Sequence, residues 1–152
     1  MKQVLNSLVL AAAVVATSFN VSAAGELDKL LEQVKKEAQV ENIKNIEVLW
    51  ADLEVSGGTN IANQSLDVVF LVTVLFLLTD KQEAFNEAKR MIKSDGQILV
   101  VEWLSGDMSI GPVADKRVPK ETITQLASSA NFSQIKDIDA GKYHYGVLYK
   151  NT

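Results

Sequence analysis

The sequence predicts an α/β fold: a mostly parallel sheet with flanking helices and a C-terminal antiparallel hairpin. Three observations predict it. Apolar, β-branched-rich runs at Leu66–Phe76 and Gln97–Trp103 read as strands buried on both faces. Between them, Ala84, Phe85, Ala88, Met91 and Ile92 fall on one helical face. Near the end, two more strand-like runs flank the turn Asp139-Ala140-Gly141-Lys142. Two buried strands joined by a helix form a β-α-β unit, which needs a parallel pair.

Each element has its own local reason. Leu27, Leu30, Leu31, Val34 and Ala38 recur at helical spacing, which predicts an amphipathic helix over Glu26–Ala38. Lys29, Glu32, Lys35 and Lys36 then point outward. Asn45–Leu53 reads as a strand, and Val55–Ser65 as a polar, glycine-containing loop. Asp80 stands three residues before Glu83, the spacing of a capping box, and starts a helix over Lys81–Lys93. Ser94-Asp95-Gly96 stops it. Gly106, Gly111 and Pro112 break Ser105–Val118 into a loop. Pro119 suits the first turn of a helix that runs to Ala130, with Ile123, Leu126, Ala127 and Ala130 as its buried stripe. Phe132–Ile138 and Tyr143–Tyr149 complete the hairpin. Val69, Leu71, Phe85, Ile92, Leu99, Val101 and Leu126 are the expected core.

The 152 residues suit one small domain. A net charge of −4 argues against a nucleic-acid surface, which is normally basic. The absence of cysteine excludes disulfides, thiolate metal sites and cysteine nucleophiles, and is compatible with either side of a bacterial inner membrane. The single histidine, His144, cannot build a histidine-based metal site.

Residues 1–23 read as a secretory signal peptide. Lys2 supplies a basic start, Val4–Ala16 is apolar but shorter than the roughly 20 residues of a membrane span, and Val21-Ser22-Ala23 suits cleavage at small residues. The competing reading is an apolar helix or strand that replaces a first strand of the fold. Residues 24–152 then form the α/β domain. The protein is periplasmic or secreted if the leader is processed, with no stable membrane span afterwards, and cytoplasmic otherwise.

Several segments in order resemble one family. DVVFLVTVLF, AFNEAKRMIKSDG and ILVVEW match the strand, helix and strand that class I S-adenosylmethionine-dependent methyltransferases, including the ubiquinone/menaquinone type, write as D-V-V-x-L-x-N-V-L, A-x-x-E-A-x-R-x-L-K-P-G-G and L-V-V-x-E/D-W. NIEVLWADLE is similar to the preceding strand with its acidic end, GPVADKRVPKETITQLASSANF to the last loop and helix, and DIDAGKYHYGVLYK to the closing strands. The likeness spans about Lys35 to Lys150. It implies a Rossmann-like fold, truncated at its start, because the glycine-rich D-x-G-x-G-x-G turn is missing. Gly57 and Gly58 lie in the wrong element for it, and Glu26 and Asp28, nearest in order to the ribose-binding acid, sit on a helical pattern. SAAGELDKLLEQVKK resembles the exported start of TonB-linked proton-channel proteins, which would make the chain a leader fused to a methyltransferase tail.

The resemblance implies S-adenosylmethionine as cofactor and an unspecified small-molecule substrate. It gives Asp52 the hydrogen bond from the adenine amine, sets Leu53 against the ring and brings Thr73 near the methionine part. A loop cap and an ordinary strand residue are the plain readings of Asp52 and Thr73. Glu102 and Trp103 match a strand end where the family places an acid near substrate, or a simple passage from buried to exposed. His144 reads as structural, and Arg117 as a surface salt bridge or a contact to an anionic substrate. No catalytic residue is assigned. The implied function is a methyltransferase-like protein with impaired cofactor binding; the alternative is an exported, non-catalytic α/β domain. Loss of early strands exposes a sheet edge, open to pairing with a second copy.

Overall fold

A computed structural model describes residues 21–106 and 108–152, with residues 21–24, 26 and 27 described by their backbone alone. The chain divides into two compact units, Met1–Asp52 and Leu53–Thr152. In the first, α1 spans Val21–Val40. Its end is a Schellman turn: Asn42 takes φ +54°, and Ile43 N–H reaches back to Ala38 O at 2.8 Å. The expected cleavage point after Ala23 falls within α1, and the rest of the leader reading lies outside the described residues. No described helix is long and apolar enough to cross a membrane.

The expected strand at Asn45–Leu53 does not form. No described ladder takes in these residues, and strand-like composition by itself supplies no partner for backbone amides and carbonyls.

The second unit carries a four-stranded sheet of β1 (Leu66–Val72), β2 (Ile92–Trp103), β3 (Phe132–Asp139) and β4 (His144–Asn151), in the order β1-β2-β4-β3. β1 and β2 are parallel, while β2–β4 and β3–β4 are antiparallel, so the sheet is mixed. Two helices start where the punctuation predicts, α2 (Lys81–Met91) and α3 (Lys120–Ser129). Ser94-Asp95-Gly96, the expected stop of α2, lies instead within β2, because pairing with β1 already takes up the chain at Ile92. Asp80 caps α2 by accepting the Gln82 and Glu83 amides. Its own amide donates to Glu54, so a residue outside the helix supplies the second half of the cap. β2 starts directly after α2, at Ile92. Gly96 then lies so close to Ile92 and the Asp67 carbonyl that a Cβ would come within 2.5 Å of the Ile92 side chain.

Both helices cover one face of the sheet. α2 packs on β2 and α3, and α3 packs on β3. Val69, Leu71, Ile98, Val100, Val147 and Tyr149 are buried beneath Phe85, Ala88, Ile123 and Ala127. The opposite face is open: Val68, Phe70 and Val72 are exposed, and Leu99 and Val101 half-buried. The expectation of strands buried on both faces therefore fails for β1. Val69, Leu71, Phe85 and Ile92 are core as expected, whereas Leu99, Val101 and Leu126 are only half-buried. Side chains alternate across a strand, so the two helices bury Ile98 and Val100 and leave Leu99 and Val101 on the other side.

Candidate functional site

β1 ends earlier than its apolar run. Val72 pairs with Val101, and Thr73 still donates its amide to Val101 O at 2.8 Å. Thr73 then takes φ +49°, a left-handed conformation that a β-branched residue rarely adopts. The chain turns away from the sheet into a short 3-10 turn, Leu75–Leu77. This strained corner lies at the carboxyl end of a parallel strand, where ligands of open α/β sheets characteristically bind.

Glu102, beside it on β2, is fully buried. Its Oε1 accepts the Leu75 amide at 2.7 Å, and its Oε2 has no partner among the described residues. Burial pushes its pKa up, against the pull of the Leu75, Trp103, Phe76 and Val74 amides. Tyr145 stands opposite Glu102 on β4 and donates its hydroxyl to Val118 O at 2.7 Å. Burial, then the Glu102 charge, pushes that hydroxyl upward as well.

The next residue, Trp103, faces the other way. Its ring lies 4.2 Å from the His144 ring, tilted by 47°. Gly111 approaches so closely that a Cβ would stand 2.6 Å from the indole, and its φ of +82° suits glycine. The loop between β2 and α3 is gathered by Arg117, which is 7% exposed. The guanidinium donates to the carbonyls of Pro112 at 2.9 Å, Ile110 at 3.2 Å, Met108 at 3.4 Å and Gly106. Arg117 is thus buried in its own loop, and among the described residues it makes no ion pair. Its five donors match the carbonyls of a tight loop.

The proposed cofactor residues do not share one element. Asp52 closes the first unit and is half-buried; Leu53 opens the second and is buried; Thr73 is half-buried at the end of β1. Asp52 and Leu53 do not end a strand. A cluster that sequence reading missed lies on α2. Glu87 is 1% exposed and accepts the Gly57 amide at 2.9 Å, the Thr59 amide at 3.4 Å and the Thr59 hydroxyl at 2.7 Å. Arg90 adds two bonds to it, at 2.8 and 2.7 Å, and also donates to Ile61 O. The signal was present: Glu87 stands three residues after Ala84 and four before Met91, inside the apolar stripe. An acid there must find buried donors.

Residues 5–100 match a family model described as "Methyltransferase domain". The chain belongs to the methyltransferase-domain family. The match takes in β1, α2 and most of β2, and it begins inside the run that also reads as a leader. The domain has the fold of class I S-adenosylmethionine-dependent methyltransferases. It is similar to a SAM-dependent methyltransferase from Aquifex aeolicus, with a TM-score of 0.72 and 17% identity over 80% of this chain and 63% of that one. A structure from Sulfolobus solfataricus described as a type 11 methyltransferase gives 0.62 and 24%, over 78% of this chain and 65% of its own. A protein from Pyrococcus horikoshii OT3 gives 0.67 and 14%, over 95% and 72%. The methyltransferase domain thus spans just under two thirds of the first two structures it resembles. No curated protein matches the chain significantly.

Proposed function

We propose that this protein is an S-adenosylmethionine-dependent methyltransferase-like domain whose ligand site lies at the carboxyl ends of β1 and β2, and whose cofactor affinity is low. The left-handed Thr73 carries this reading, because a strained β-branched corner at a strand's carboxyl end is a feature of ligand sites. Thr73 fits a polar end of the cofactor, and Leu53 fits the adenine ring by the family's pattern. The missing glycine-rich turn leaves fewer backbone amides to hold the rest. When bound, the cofactor supplies an activated methyl group. The chain's contribution is to position that group, which is where most of the rate of a two-reactant transfer arises.

Titration with S-adenosylmethionine, followed by amide NMR shifts, tests both parts. The expected result is a dissociation constant near 1 mM, about −4 kcal/mol, with shifts centred on Leu53, Thr73 and Leu75. No shift at these amides at saturating ligand refutes the site. Micromolar affinity refutes the weakened binding and shows that another segment replaces the lost turn.

The second reading is an exported domain without catalysis. The basic, apolar and small-residue order of residues 2–23 supports it. The family match beginning at residue 5 supports the cytoplasmic alternative instead. Mass spectrometry of the chain from producing cells distinguishes them. Export predicts a start at Ala24 or Gly25, and an intact start at Met1 overturns it.

A further inference from the structure

We propose that Glu102 is a positioning residue for the ligand-facing corner after β1, acting through the amide of Leu75. The inference rests on the site proposed above.

Leu75 is the first residue of the 3-10 turn, so its N–H has no acceptor within that turn. Val74, at the capping position, offers no side-chain acceptor. The acceptor comes instead from the neighbouring strand, as Glu102 Oε1 at 2.7 Å. Parallel pairing sets this geometry. Val72 lies opposite Val101, so Thr73 stands at the level of Glu102, and the chain must turn across it.

Stability alone gives little reason for an acid here. Glu102 is 0% exposed, makes no ion pair among the described residues and leaves Oε2 without a hydrogen-bond partner, although the Trp103, Phe76 and Val74 amides also act on the carboxyl group. An apolar side chain of similar size would avoid burying a polar group half-satisfied. What the carboxyl group supplies is one anchor for a turn that must keep Thr73 at φ +49°. Such a conformation persists only where its surroundings hold it. Val74 and Leu75, at 9% and 0% exposure, pack the same corner from within the core. Glu102 touches no ligand in this arrangement. It fixes the direction of the Thr73 side chain by pinning the residues that follow.

The test uses the full chain with Glu102→Leu and Glu102→Gln. Amide hydrogen exchange at Leu75 reports the anchor, with Val100 as an internal control, and the S-adenosylmethionine titration reports the site. In Glu102→Leu, exchange at Leu75 should rise at least tenfold relative to Val100, and affinity should fall about tenfold. Glu102→Gln keeps a carbonyl acceptor and should restore both to within about threefold of the original. Unchanged Leu75 exchange in Glu102→Leu overturns the proposal. So does Glu102→Gln behaving like Glu102→Leu, because the acceptor would then be irrelevant. So does faster exchange with unchanged affinity, which makes the anchor purely structural. If Glu102→Leu fails to fold, the pair Thr73→Gly and Thr73→Gly/Glu102→Leu replaces it, since glycine adopts φ +49° without strain. The same acceleration at Leu75 is expected between those two, and its absence overturns the proposal. If the unmodified chain shows no ligand shifts, the functional reading fails, and Glu102 as a positioning residue fails with it. Exchange at Leu75 then still shows whether the carboxyl group anchors the turn, so the two failures remain distinct.

Discussion

Glu87→Gln should weaken the fold strongly at neutral pH and much less in acid. Burial alone would raise the Glu87 pKa, but the Arg90 guanidinium, the Gly57 amide and both donors of Thr59 outweigh it and hold the value at about 2 against an ordinary 4.5. A depressed folded pKa stabilises the fold above the unfolded value, and that stability is lost as pH falls towards the folded one. At about 1.4 kcal/mol per pKa unit, the charge contributes up to about 3 kcal/mol at pH 7 and about 1 kcal/mol at pH 3. Glutamine cannot accept from all five donors, so the variant forfeits most of this. Urea unfolding of both proteins at pH 7 and pH 3, followed by circular dichroism, measures the gap. It should shrink by more than half between the two conditions. A gap of equal size at both values would refute the reasoning, because the loss would then be one of shape rather than charge. Residues 57–63 should also exchange their amides faster in the variant, since Glu87 and Arg90 hold that loop to α2.

Two further outcomes follow from packing. Ile98→Ala should cost about 2–5 kcal/mol, the usual range for a fully buried aliphatic residue, and Leu99→Ala distinctly less. Urea midpoints decide it, and an equal or larger loss at Leu99 would show that the open face is covered. Arg117→Ala should free the loop between β2 and α3, at a cost of about 1–3 kcal/mol for its unpaired carbonyls. Limited proteolysis should then cut within residues 105–116; an unchanged digestion pattern would show that the loop holds without it.

The β-α-β unit, the last helix and the closing hairpin were legible because each is marked by short-range chemistry. Asp80 caps α2, Pro119 opens α3, and Gly141 at φ +85° turns the hairpin. These signals act within a few residues, so the chain itself carries them. The family followed from the same order of segments. Other features depended on neighbours that no local pattern names. ILVV and VVFLV are apolar at every position, so they carry no phase, and only the placement of α2 and α3 selected Ile98 and Val100 over Leu99 and Val101. Asn45–Leu53 has the composition of a strand, but no described ladder takes it in. Thr73 reads as a strand residue until Glu102, 29 positions later in the chain, captures the Leu75 amide and fixes the corner. Arg117 reads as a surface charge until four carbonyls of its own loop close around it. Sequence determined where α2 and α3 start and where the hairpin turns, because caps and turns are local, whereas pairing between strands settled where β1 ends and β2 begins. The tertiary structure decided which faces are buried and where charges are satisfied, because burial and hydrogen bonding are settled between segments distant in the chain.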